Sequence, residues 1–247
     1  MINTQSYKYI LPILLFVLPA AVIAKQQNKE QQVYQLEYLE REQGVDEYET
    51  VMLVSDRFIR VDQTGEADGY IIYDDSKKVI YSVSHADKSV LVIKQQAFSE
   101  ADSPVKKQVE YLQLADAPKI SDHTVFNYRV HVAGDDEETC TEVQLAENLL
   151  PEVTGMLKNY QLVVSGQQAR MTDNKITDMQ TACYYIDQIY NTGAYYDKGL
   201  PIQEWHSNGS SRILTSYKEI SVNNSKFTVP ENYRQFSIDK NSKTVID

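Results

Sequence analysis

Glycine is scarce in this chain, with 9 in 247 residues, and neither G-x-G-x-x-G nor G-x-x-x-x-G-K occurs. A loop that cradles nucleotide phosphates needs glycine to bring backbone N–H groups close, so no such loop is expected. Basic residues are also in deficit: 24 Lys plus Arg stand against 35 Asp plus Glu, a formal charge of −11. Nucleic-acid binding requires a basic stripe, and none appears, so no nucleic-acid partner is expected. Cysteine occurs twice, at Cys140 and Cys183. That excludes a disulfide-dense scaffold, and no C-x-x-C or histidine at ligand spacing suggests a zinc centre. G-x-S-x-G is absent, and no serine, histidine and acid arrangement stands out. After residue 24 no apolar run approaches the ~20 residues that a membrane-spanning helix needs.

What is present points to a folded, exported protein. Apolar residues make up 42% and aromatics 10%, which excludes a disordered chain. Tyrosine dominates the aromatics, with 18 against 6 Phe and 1 Trp. Residues 1–24 read as a secretory signal peptide: Lys8 precedes an apolar run from Ile10 to Ala24, broken by Pro12 and Pro19 and closed by Val22-Ile23-Ala24. No cysteine lies near that cleavage site, so a lipid anchor is not expected, and the mature chain is expected to be periplasmic or secreted. In such an oxidising space an isolated cysteine pair favours a Cys140–Cys183 disulfide.

Residues 25–32 form a polar leader, and from Val33 short strands follow one another. Tyr34, Leu36 and Tyr38 alternate with polar neighbours. Tyr48–Val54, Arg57–Asp62, Tyr70–Tyr73, Lys78–Val83 and Ser89–Lys94 are then separated by turn clusters, the pattern of an antiparallel meander. Val109–Leu114 is a further strand. Phe126, Tyr128, Val130 and Val132 alternate with Asn127, Arg129 and His131, which predicts one buried face and one wet face. Cys140–Ala146 is the hairpin partner, reached through the acidic turn Asp135–Glu138. The period then lengthens to about 3.6. Leu149, Leu150, Val153, Met156, Leu157, Tyr160, Val163 and Val164 make one helical stripe with Pro151 in its first turn, and Gly155 is a defect in it. A second helix is expected from about Asp173, carrying Ile176, Met179, Cys183, Ile186 and Tyr190, and stopping at Asn191-Thr192-Gly193. Ile202–Trp205, Arg212–Val222 and Lys226–Val229 return to strand, and residues 239–247 are a frayed tail. The expected fold is a single α+β domain over residues 33–238, a strongly curved antiparallel sheet with a late inserted helix pair.

The four histidines, His85, His123, His131 and His206, share no ligand spacing and read as surface residues. Asp135–Glu138 lacks the alternating oxygens and mid-loop glycine of a calcium loop. No catalytic set, metal site or cofactor is expected. A curved sheet still needs its concave face filled, and tyrosine suits the lining of a cavity because its ring is apolar and its hydroxyl tolerates water.

Four segments resemble the LolA-like superfamily of exported proteins, which includes the uncharacterised family DUF4412. These are Asp56-Arg57-Phe58-Ile59-Arg60-Val61-Asp62, Gly69-Tyr70-Ile71-Ile72-Tyr73-Asp74, the stretch from Trp205 to Ser216 with Gly209 and Arg212, and Phe227-Thr228-Val229-Pro230-Glu231-Asn232-Tyr233. The resemblance implies an unclosed β-barrel with helices over its mouth and an apolar cavity for lipid chains. The contiguous helix pair and the cysteine pair depart from the carriers, and no carrier residue carries over to a position here. Two functions are therefore open: a binding protein that holds a lipid acyl chain or another apolar ligand, or an envelope interaction protein with a self-filled core and an acidic surface for a protein partner. An enzyme ranks third.

Overall fold

The computed structural model describes residues 29–64, 68–117, 119–134, 138–172, 180–239 and 242–246. The segment read as a signal peptide, most of the acidic turn, and Ile176 and Met179 lie outside these residues. Six strands open the fold: β1 (Glu30–Arg41), β2 (Tyr48–Val54), β3 (Phe58–Gln63), β4 (Gly69–Asp74), β5 (Val79–Ser84) and β6 (Ser89–Lys94). β7 (Lys107–Gln113), β8 (Val125–Val132) and β9 (Thr139–Glu147) form a second meander. Helix α1 (Pro151–Met171) and the one-turn helix α2 (Ala182–Tyr185) come next. β10 (Gly199–His206), β11 (Ser211–Asn223), β12 (Arg234–Asp239) and β13 (Ser242–Ile246) complete the chain. The first strand thus begins within the segment read as a leader, and the last lies in the segment read as a tail.

The expected barrel-like antiparallel sheet is corrected by the strand order, β13-β12-β6-β5-β4-β3-β2-β1-β11-β10-β9-β8-β7. The two end strands do not pair, so the sheet is open, and strong curvature is not shown. It is also mixed, because β12 runs parallel to β6 from Arg234↔Ser89 to Phe236↔Leu91. Periodicity locates strands and their faces, but it does not say which edges meet. Here the late strand β11 inserts between the two meanders and the tail crosses to the far edge. Pairing along β11 is uneven. It matches β1 from Arg41↔Ser211 to Glu30↔Asn223, yet meets β10 only at Gln203↔Ile213, Glu204↔Arg212 and Trp205↔Ser211. Beyond that short ladder a gap of about 570 Å³ opens, lined in part by Ile202, Ile213, Leu214 and Tyr217.

The expected helix pair is corrected as well. α1 forms where the stripe predicts and buries Val153, Met156, Leu157 and Val163 against Leu36, Tyr38, Met52, Val54 and Ile59. It touches β10 on one side and β3, β5 and β6 on the other. Among the described residues the second helix is the four residues of α2, followed by a π-helical turn over Ile186–Tyr190 in which Asn191 N–H donates to Ile186 C=O at 2.9 Å. Cys183, Ile186 and Tyr190 are all buried, as the apolar spacing predicts, but a backbone that closes i→i+5 bonds and stops at Gly193 cannot extend into a regular helix. Residues 224–227 form a 3₁₀ turn where a strand was expected, and Phe227 seals the opposite sheet face against Val33 and Leu53. On β8, Tyr128 and Val130 are buried as expected. Asn127 is buried too, with its amide donating to Glu142 Oε1 at 2.9 Å.

Candidate functional site

Two places gather polar and apolar groups in ways the fold alone does not require. The first is a charged cluster across β9, β10 and β11. Glu204 and Arg212 are cross-strand neighbours, and their side chains meet at 3.4 Å with Glu204 almost fully buried. His206 lies two residues along β10 on the same face, with Nε2 3.9 Å from Glu204 Oε2 and Nδ1 3.8 Å from Asp187 Oδ2. Among the described residues Nδ1 has no hydrogen-bond partner, and the Asp187 charge lies beside it. Tyr195 Oη donates to Glu204 Oε2 at 2.8 Å, Thr141 Oγ1 donates to Asp187 Oδ1, and the Arg212 guanidinium lies over the Tyr38 ring. The cysteines, 4.9 Å apart between Cα atoms, form the predicted disulfide and set this arrangement. Cys140 precedes Thr141 on β9, and Cys183 leads into the π turn that presents Asp187.

The electrostatics decide what the cluster can do. Burial works against the His206 imidazolium, but the two carboxylates outweigh it and push its pKa up to about 9. Burial would raise Glu204, yet Arg212, His206 and the Tyr195 hydroxyl hold it below the usual carboxylate range. Both groups are therefore charged at neutral pH and neutralise each other. A general acid or base works best with a pKa near the working pH, and this pair is tuned away from it. The cluster fastens elements together. Sequence reasoning placed His206 at the surface. The signal it missed is that Glu204 and His206, two apart on a strand, share a face opposite exposed Trp205.

The other histidines are not drawn together with it. His85 Nδ1 lies 2.8 Å from the Tyr233 hydroxyl, His123 Nδ1 lies 2.6 Å from the Glu147 carbonyl, and His131 lies 3.8 Å from Glu110. Among the described residues no group of histidine, cysteine, aspartate and glutamate is placed to hold a metal ion, and no helix is long and apolar enough to cross a membrane.

The second place is a cleft of about 440 Å³ between the first turns of α1 and the sheet. Its floor follows from register: Glu219, Tyr34 and Val54 stand side by side across β11, β1 and β2. Val153 and Met156, both buried, form the wall on α1, while Asp56 and Glu152 stand at the rim. Gly155 also lines it. A glycine inside a helix costs about 1 kcal/mol relative to alanine. At Gly166, on the same helix, a Cβ would lie 2.5 Å from the Gln96 carbonyl oxygen, so close packing demands glycine there. At Gly155 a Cβ would meet nothing within 4 Å. Among the described residues no contact accounts for Gly155, which is exposed and lines the cleft.

No family model matches the chain, and no curated protein matches it. Among solved structures, an uncharacterised conserved protein from Thermus thermophilus is similar over 86% of this chain and 93% of that one, at 7% identity and a TM-score of 0.43. A structure of PNGF-II is similar over 85% of this chain but only 31% of that one, at 11% identity and a TM-score of 0.40. The functional reading therefore stands on the residues of this chain.

Proposed function

We propose that this is an exported binding protein that shelters a lipid chain or another apolar ligand in the cleft between α1 and strands β1 and β2. The observation that carries the proposal is the cleft itself, with apolar walls from Val54, Val153 and Met156 and a helix glycine that keeps one side open. Its volume of about 440 Å³ falls within the ordinary range of small-molecule sites. The disulfide suits an oxidising compartment, and the apolar segment before residue 25 suits export. The LolA-like resemblance supports the class of ligand only, since the open mixed sheet is not the barrel it implies.

Uncharged 1-alkanols of roughly eight to fourteen carbons test the proposal, because each buried methylene contributes about 0.8 kcal/mol, or about fourfold in affinity. Calorimetry should show saturable binding that tightens with chain length and then levels off when the cleft is full. Bound alkanol should raise the melting temperature according to its occupancy of the folded state. Gly155→Leu should abolish both effects by filling the cleft. A folded protein that binds no alkanol at any length would overturn the proposal and favour a surface that meets a protein partner.

A further inference from the structure

The apolar cleft carries acids at its mouth and on its floor. Asp56, Glu152 and Glu219 all line it and are all exposed. Among the described residues no lysine, arginine or histidine forms an ion pair with any of the three, and no hydrogen bond engages their carboxylates. Their basic sequence neighbours make their ion pairs elsewhere, Arg57 with Asp74 at 2.9 Å and Lys218 with Glu37 at 3.5 Å, although Arg57 also feels the Asp56 charge. Tyr34 is the cross-strand neighbour of Glu219 in the same cleft, and the Glu152 and Glu219 carboxylates both oppose ionisation of its hydroxyl, after burial. An aromatic ring flanked by unpaired carboxylates attracts a cation and repels an anion.

Resting on the apolar-ligand reading above, we propose that the natural occupant is a cationic amphiphile, with its alkyl chain or apolar body against Val54, Val153 and Met156 and its ammonium group among Asp56, Glu152, Glu219 and Tyr34. A fatty acid or an anionic phospholipid has the right chain and the wrong head. Carboxylates at the mouth would lie against its own negative charge and offer no cation in exchange. Gly155 adds to the fit, because a bare stretch of helix backbone lets a bulky head or chain lie close to α1.

The test compares three ligands of one chain length, each below its micelle concentration: dodecyltrimethylammonium, 1-dodecanol and dodecyl sulfate. Calorimetry on the full mature chain should rank them in that order. The cation should bind roughly tenfold tighter than the alcohol, and its advantage should shrink as salt rises from about 50 to 500 mM. Glu152→Gln combined with Glu219→Gln should remove most of the preference, read as the ratio of cation to alcohol affinity within the same variant. Neutralising Glu231, a carboxylate outside the cleft, should leave the preference intact, which separates a local site from the general acidity of the chain. Gly155→Ala should weaken the cation at least severalfold while raising the melting temperature, two opposite signs that simple unfolding cannot produce. Equal affinity for all three ligands, or an unchanged preference in the double variant, would overturn the cationic inference and leave the apolar-ligand reading standing. Failure of every ligand would overturn both.

Discussion

At the scale of single residues, the decisive geometry is the meeting of Asp187, Glu204, His206 and Arg212, drawn from three separate elements. Its pH dependence has a definite sign. A histidine whose pKa rises from 6.5 to about 9 on folding contributes stability that is complete below about pH 6.5 and is lost as pH rises through 9. Asp74 works at the other end of the scale. Burial would raise its pKa, but Arg57, Ser76 and Lys77 bring it down to about 2, so its contribution is present above about pH 4 and fades as pH falls toward 2. The melting temperature should therefore decline between about pH 7 and 10, and His206→Gln should flatten that decline while lowering the plateau by an amount on the order of 2 kcal/mol. The His206 ring protons should titrate near pH 9 by NMR. A midpoint near 6.5 would contradict the cluster as described. None of these partnerships was legible in the sequence. Alternation along β10 puts Glu204 and His206 on one side, but Arg212 arrives through a hairpin and Asp187 through a disulfide-bound turn, and both distances are tertiary.

Single elements were more readable. The apolar stripe from Leu149 to Val164 located α1, and strands β2, β5 and β6 lie within a residue of their predicted bounds, because each is a short run rich in β-branched or aromatic residues bounded by turn clusters. The second helix was overestimated: its apolar spacing is real, but Ile186–Tyr190 meets that spacing with a π turn. The disulfide was legible as a pairing. Its consequence for Asp187 was not, since only the register of Thr141 opposite His206 brings the π turn over that histidine. Replacing both Cys140 and Cys183 by serine should cost about 2–4 kcal/mol in denaturant unfolding, the usual range for a bridge closing a loop of this size. The same variant should move the His206 midpoint down toward 6.5, because Asp187 is then no longer fixed beside the ring. A lowered stability with an unmoved midpoint would show that Thr141 alone holds the turn in place.

At the scale of the whole molecule, the sheet order is what the sequence conceals. Hairpins between neighbouring strands follow from turn chemistry, whereas β1 beside β11, and β6 beside β12, join segments far apart in the chain. The uneven pairing of β11 divides the molecule into two leaves, β13 through β11 on one side and β10 through β7 on the other. Three residue pairs of β10 and β11, the Glu204–Arg212 ion pair among them, join the leaves, together with α1 lying across both, the hydrogen bond between the Ser121 and Tyr217 hydroxyls, and a core that draws Leu36 and Tyr38 from one leaf and Val143 and Leu145 from the other. Native-state hydrogen exchange should resolve that seam. Amides of β10 that face β11 should exchange by a sub-global opening well below the free energy of complete unfolding, while amides between β1 and β11 should persist to the global limit. Uniform protection across both ladders would show one cooperative unit. The cleft gives this division a mechanical meaning. Its walls are α1 and the larger leaf, so an occupant clamps the helix to one leaf only, and α1 is also the strap to the other. If the cleft binds as proposed, its occupant would thus also steady the β10–β11 seam, which it does not touch.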